Sequence, residues 1–263
     1  MNFVRALWSF RGFILSSVQR EFQSKYRNSL LGATWMVLNP LAMIFVYTVI
    51  FAQLMRSRLP GIDGVFAYSI YLCAGVLTWG FFSEIVGRAQ NVFIENANLI
   101  KKMSFPRLCL PLIVVLNASL NFSIVFALFI VFLLTSGNFP GWVFLAVFPV
   151  LLIQVLFSIG LGMTLGVLNV FFRDVGQFFG IVLQFWFWLT PIVYPVNVLP
   201  EEAMGYVAYN PMAVLVDAYQ KIFVFSAWPD WSGLLPVLLV SLLLCTLGAY
   251  LFRKHSAEMV DEL

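Results

Sequence analysis

Charge is scarce in this sequence. Asp, Glu, Lys and Arg make up 10% of its 263 residues, against roughly 25% in a soluble domain, which excludes water as the main solvent of the chain. Histidine occurs once, at His255, beyond the last apolar run, so a histidine-built metal site or a multi-histidine relay among the apolar stretches is ruled out. Cys73, Cys109 and Cys245 stand singly in apolar surroundings, odd in number and without a CxxC spacing. Neither a disulfide framework nor a thiolate metal site is supported, and all three are expected to pack. No GxxxxGK[ST] run exists, so this chain cannot hold ATP in a P-loop. The first 30 residues contain no apolar core followed by a small-residue cleavage site, and the N-terminus is expected to be retained. The net charge of +3 comes without a basic patch on a soluble face, which argues against nucleic acid as a partner.

What is abundant is apolar length. Hydrophobic residues make up 62% of the chain, and the uncharged runs 28–55, 64–83, 108–172, 175–200 and 231–252 are each long enough for a helix that needs about 20 residues to cross hydrocarbon. The run 108–172 is too long for one crossing and is punctuated by Gly137, Pro140 and Gly141, so it divides in two. The expected fold is an all-α integral membrane protein, a single domain over 1–263. Six spans are expected, at about 33–55, 65–84, 108–134, 142–171, 176–195 and 232–252.

Twelve of the fifteen Lys and Arg residues fall on one side of this arrangement: Arg5, Arg11, Arg20, Lys25, Arg27, Arg88, Lys101, Lys102, Arg107, Arg173, Arg253 and Lys254. Arg56, Arg58 and Lys221 fall on the other. Cytoplasmic flanks collect positive charge, and an even span count keeps both termini together, so both are assigned to the cytoplasm.

Three segments outside the spans carry helical signals. In 1–30, Val4, Trp8, Leu15, Val18, Phe22 and Tyr26 share one side while Arg5, Arg20, Glu21, Gln23 and Lys25 take other angles. This is the pattern of an interfacial amphipathic helix or of a simple topological anchor. In 88–107, Phe93, Ile94, Ala97 and Ile100 form one face, with Glu95, Asn98 and Lys102 elsewhere, and Pro106 redirects the chain. Such a helix suits a groove on a partner protein, or it is a solvated connector. In 196–230, an uncharged run of 14 residues (203–216) and an apolar patch of 8 (222–229) are too short to cross, and Asn210-Pro211 gives a break between two short helices, which predicts a re-entrant helical hairpin on the outer side. Ser158, Gly162 and Gly166 recur every four residues, as do Gly176 and Gly180, a spacing that lets helices approach closely, within one subunit rather than across a seam.

The charges Glu84, Arg173 and Asp174 sit at span ends, which disfavours a proton pathway. Aromatic residues fill the spans instead: Trp35, Phe45, Tyr47 and Phe51 in the first, Trp79, Phe81 and Phe82 at the end of the second, and Phe185, Trp186, Phe187, Trp188 and Tyr194 in the fifth. Rings either anchor at the lipid interface or line a path, where pyranose C–H faces pack on them. Gln177 and Gln184, one heptad apart, share a side with Trp188, and Asn39 and Gln53 share a side of the first span.

The order of several motifs resembles one family. Lys25-Tyr26-Arg27-Asn28-Ser29-Leu30-Leu31-Gly32-Ala33-Thr34-Trp35 with Leu38-Asn39-Pro40-Leu41, then Glu95 through Arg107, then Phe171-Phe172-Arg173-Asp174-Val175, then Thr190-Pro191-Ile192-Val193-Tyr194-Pro195 with Tyr209-Asn210-Pro211-Met212, are similar to the permeases of ABC type-2 polysaccharide exporters, which carry lipopolysaccharide O-antigen or capsule. The resemblance covers nearly the whole chain. It implies a homodimer in a bacterial inner membrane, paired with two copies of a separate nucleotide-binding subunit that holds ATP and Mg, and a cargo polymer on undecaprenyl pyrophosphate. It implies coupling to that subunit through Glu95, Asn96, Asn98, Lys101, Lys102, Phe105 and Arg107. It places Lys25, Tyr26, Arg27, Leu31 and Gly32 at a cytoplasmic entrance, with the first three as pyrophosphate contacts. Trp35, Asn39, Phe45, Tyr47, Phe51, Gln184, Phe185, Trp188 and Tyr194 would line the conduit, which needs no metal. The competing readings are a permease of the same class for teichoic acid or a small hydrophobic cargo, a membrane-embedded transferase acting on a lipid-linked sugar, and a channel without a motor. A transferase needs a positioned acid, base or nucleophile, and Glu201, Glu202, Asp217 and Asp230 show no such cluster.

Overall fold

The computed structural model describes residues 10–26, 34–46, 49, 66–102, 107 and 109–263, and all regular structure among them is helical. The helices are α1 (Arg11–Tyr26), α2 (Trp35–Val46), α3 (Ala67–Ala89), α4 (Val92–Glu95), α5 (Ala97–Lys102), α6 (Cys109–Thr135), α7 (Val147–Phe171), α8 (Asp174–Trp188), α9 (Glu201–Ala208), α10 (Pro211–Phe225), α11 (Trp231–His255) and α12 (Glu258–Glu262).

Among the described residues four helices are long and apolar enough to cross a membrane: α3, α6, α7 with the 3₁₀ turn Gly141–Ala146 before it, and α11. They correspond to the expected second, third, fourth and sixth spans. The second runs on to Ala89 rather than stopping at 84, because Glu84 and Arg88 stand four residues apart on one helix face and pair with each other, so neither ends the helix. The expected first span is helical over Trp35–Val46. Tyr47 and Phe51 lie outside the described residues.

The expected fifth span is helical only to Trp188. Fifteen residues cover about 22 Å, and Thr190, preceding Pro191, is pushed away from helical geometry. The chain bends through 190–194. Its carbonyls find partners on α3 and at their own end: the Tyr68 hydroxyl donates to Val193 O (2.7 Å), that of Tyr71 is shared between Tyr194 O (3.0 Å) and Pro191 O (3.2 Å), and that of Tyr194 donates to Trp188 O (2.8 Å).

α3 is the most buried of the four long helices and packs against α6, α7 and α10. α7 also carries α11 along its length. These approaches use glycine. A Cβ on Gly162 would stand 2.6 Å from Ala89 Cβ, one on Gly166 2.7 Å from Ala89 O, and one on Gly160 2.7 Å from Cys245 N. The small residues of α7 thus pack within the chain, as their spacing predicts, while Gly180 faces open space.

The Asn210-Pro211 break is where expected, between α9 and α10. Asn210 caps α10 by accepting from Met212 N (3.0 Å) and Ala213 N (3.4 Å), with Pro211 opening the helix. α10 is well buried against α3.

Candidate functional site

Two parts of the molecule gather the residues singled out above: the short helices α4 and α5, and the outer face of α8. The first is two helices rather than one. Asn96 separates them, its Nδ2 donating to Val92 O (2.8 Å), so a side chain competes with the backbone ladder and breaks it. The apolar side of the pair lies as the sequence predicts. Phe93 and Ile100 are buried, Ile94 and Ala97 half-buried, and Glu95, Asn98 and Lys101 exposed. Phe93 stacks on Phe252 of α11, with ring centroids 5.5 Å apart. Ala89, Val92, Leu110, Val114, Val167, Val170 and Met259 complete this second core.

A buried carboxamide locks this segment to α8. Asn169 Nδ2 donates to Gln90 O (2.9 Å) and Asn91 Oδ1 (3.0 Å), while its Oδ1 accepts from Gly176 N (2.8 Å). One side chain on α7 therefore joins the approach to α4 with the first turn of α8. The sequence reading passed over Asn169. Its signal was an amide in a long apolar run, one of two on α7 with Gln154, which lipid does not tolerate unless it is bonded.

The amphipathic segment is helical over Arg11–Tyr26, with an inner face that shares Val18 with the predicted one but turns Leu15 outward. Ile14 and Val18 are buried against Cys109 and Ile113 of α6, whereas Leu15 is 64% exposed. Val4 and Trp8 lie outside the described residues. Glu21, expected on the polar side, faces inward. It pairs with Arg88 and accepts from Asn117 Nδ2, while Glu84 accepts from Asn121 Nδ2 at 2.6 Å. Cavities of about 410 and 290 Å³ flank the Glu21–Arg88 pair, the larger reaching Arg20, Glu95 and Asn96.

Both partners keep water contact, so the pair is worth about 1 kcal/mol or less. Glu21→Gln is accordingly expected to leave global unfolding nearly unchanged but to speed hydrogen exchange across 11–26. Unaltered exchange would mean that Ile14 and Val18 alone hold α1.

On α8 the aromatic cluster divides. Trp186 and Phe187 turn inward onto Trp79 (6.2 and 5.7 Å between centroids), and Trp186 also meets Phe82 at 5.4 Å. Trp186 Nε1 donates to Asn210 Oδ1 at 2.8 Å. Gln177, Phe178, Ile181, Gln184, Phe185 and Trp188 lie outward and exposed, Phe185 at 65% and Trp188 at 63%. Beside this stripe a cavity of about 560 Å³ is lined by Trp186, Tyr194, Tyr206, Tyr209 and Asn210. An apolar groove of about 730 Å³ runs between α9, α10 and α11, with Asp217 and Asp230 among its lining residues. Asp217 pairs with Lys221 at 2.8 Å. Asp230 accepts from Ser232 Oγ (2.6 Å) and Ser232 N (3.1 Å), bonds that hold its carboxyl below the usual carboxylate range. The cap it forms on α11 therefore contributes above that range and is lost as pH falls through the lowered value.

A family model described as ABC-2 type transporter matches residues 13–224. The chain belongs to that family. The O-antigen export system permease protein RfbA of Myxococcus xanthus is 32% identical over 266 residues, covering 100% of both chains. A protein of the same name from Klebsiella pneumoniae is 29% identical over 236 residues, 89% of this chain and 88% of that one. The polysialic acid transport protein KpsM of Escherichia coli is 20% identical over 242 residues, 92% of each.

In this ABC-2 chain Glu95, Asn96, Asn98 and Lys101, the residues expected to couple, share the α4–α5 segment, and the Arg107 guanidinium donates to Ser256 O. Lys102 ends α5 and Phe105 lies outside the described residues. So do Arg27, Leu31 and Gly32, while Lys25 and Tyr26 close α1. Trp35 and Phe45 are exposed on α2, which rests on α6, and Asn39 lies on the same helix. Gln184, Phe185 and Trp188 are exposed on α8, which rests on α7 and α3. Among the described residues no group of three or more His, Cys, Asp or Glu side chains is placed to hold a metal ion.

Proposed function

We propose that this chain is the membrane-spanning subunit of an ATP-driven exporter that carries an undecaprenyl-pyrophosphate-linked polysaccharide of O-antigen type from the cytoplasm to the periplasm. The observation that carries this reading is the end-to-end similarity to a permease named for O-antigen export. Two copies would assemble with two ATPase subunits in a bacterial inner membrane, each copy crossing six times with both termini in the cytoplasm. The crossings beyond the four long helices fall to the regions of α2 and α8. This subunit does no bond chemistry of its own; ATP and Mg belong to the partner.

In this reading the exposed side of α4–α5, with Glu95, Asn98 and Lys101, receives the movement of the ATPase. Phe93 passes it to α11, and Asn169 passes it to α8. The outer stripe of α8 turns toward the second copy, and Gln184, Phe185 and Trp188 form one wall of the conduit with Trp35, Asn39, Phe45, Tyr47, Phe51 and Tyr194. Ring faces offer many weak and similar contacts to sugar C–H patches, so a polymer slides without settling in one site. Lys25, Tyr26, Arg27, Leu31 and Gly32 stand at the entrance, and α9–α10 form a re-entrant hairpin at the exit. The similarity to a polysialic acid transport protein favours capsule polysaccharide as the second reading.

Deleting the gene in its host tests the proposal. Long-chain polysaccharide is expected to vanish from the surface and accumulate inside on its lipid carrier, and the accumulated polymer identifies the cargo. An unchanged surface glycan would refute a polysaccharide cargo.

A further inference from the structure

We infer that the segment after the last long helix, residues 256–262, is a strap that positions α4–α5, with Met259 as its positioning residue. The inference rests on the exporter reading for what α4–α5 does; the placement itself is geometric. Met259 is 1% exposed and belongs to the same cluster as Phe93 and Ile100. α12 packs on α5 and on α7, so it touches both the segment that would receive the ATPase stroke and the helix that carries Asn169. A second tie comes from Arg107, five residues beyond the end of α5 in sequence, which donates to the Ser256 carbonyl. His255 Nδ1 and Glu258 Oε2 lie 2.7 Å apart, and the His255 ring meets Phe171 edge-on at 5.6 Å, which ties the start of the strap to the end of α7.

The mechanical need is plain from length. Helices of four and six residues are far below what holds itself helical in water, so α4 and α5 keep their shape only through what they rest on. Part of that support is Phe252 and Met259, both beyond residue 250. A load applied to Glu95, Asn98 or Lys101 is transmitted only as well as this support resists it. Without Met259, α5 would yield under the load.

The test uses the full-length permease in complex with its ATPase, comparing wild type, Met259→Ser and the volume-conserving Met259→Leu. Met259→Ser is expected to speed amide exchange across 92–102 by about tenfold while 147–165 is unaffected. Polymer exported per ATP hydrolysed is expected to fall by a similar factor, and Met259→Leu to restore both. Wild-type exchange in Met259→Ser would overturn the strap. If Met259→Ser does not assemble, Arg107→Gln removes the other tie, and unchanged exchange over 92–102 in that variant overturns the inference equally. A wild-type complex that hydrolyses ATP but exports no glycan would sink the exporter reading alone, because the exchange readout does not depend on cargo.

Discussion

Asn169→Leu is expected to destabilise the protein by about 2–4 kcal/mol, a large share of a margin that is typically ~5–15 kcal/mol. The loss exceeds that of an ordinary interhelical hydrogen bond in a membrane, roughly 0.6 kcal/mol on average, because of what is left behind. The Gln90 carbonyl and the Gly176 amide are backbone groups at the meeting point of α4, α7 and α8, with no rotamer to seek another partner. Thermal unfolding of the full chain in lipid nanodiscs measures the effect. Gly176→Ala attacks the same joint from the opposite side, since its Cβ would stand 2.8 Å from Asn169 Nδ2. The two changes are expected to combine to less than their sum. Strict additivity would mean that the carboxamide and the glycine act separately.

Gly166→Val is expected to prevent accumulation of folded protein. Even alanine there sets a Cβ 2.7 Å from the Ala89 carbonyl and 3.4 Å from the Phe93 ring. The first obstacle is backbone, which yields only if α3 and α7 separate. Overpacking of this kind costs about 1–3 kcal/mol for a methyl group, and two further methyls press on the same contact. Gly80→Ala, with nothing within 4 Å of the added carbon, is the control and is expected to match wild type. Comparing membrane-extracted monodisperse yield and Tm for the pair checks it. A folded Gly166→Val would mean that α3 and α7 can part at Ala89.

Legibility in the sequence followed the physics of each signal. The second, third, fourth and sixth spans were plain because lipid demands an uninterrupted apolar length, and length survives without any knowledge of neighbours. The inner face of α4–α5 was plain because Phe93 and Ile100 stand among polar residues, so the period is visible. On α8 the period is hidden: Phe185, Trp186, Phe187 and Trp188 are consecutive aromatics, and nothing in hydropathy separates Trp186 and Phe187, which face the core, from Phe185 and Trp188, which do not. On α1 the choice between Leu15 and Ile14 depended on Glu21, whose inward position is set by Arg88 and Asn117 on two other helices. Such residues are fixed by partners far along the chain. The four-residue glycine spacing of α7 signalled close packing but not its partner, which proved to be Ala89.

The bends after α8 carry a consequence for how the chain is made. The carbonyls of Val193 and Tyr194 take their donors from Tyr68 and Tyr71, and that of Pro191 from Tyr71 with a longer bond from Gln220 Nε2 (3.4 Å); the two tyrosines leave the ribosome more than a hundred residues earlier. A bent backbone leaves carbonyls outside any helical ladder, and when buried each must find a donor elsewhere. The stretch 190–194 therefore cannot satisfy these carbonyls by itself, and α3 must already be in place, hydroxyls waiting, when it emerges. The order of synthesis is thus also an order of assembly, in which the early helix serves as the receptor for the late one.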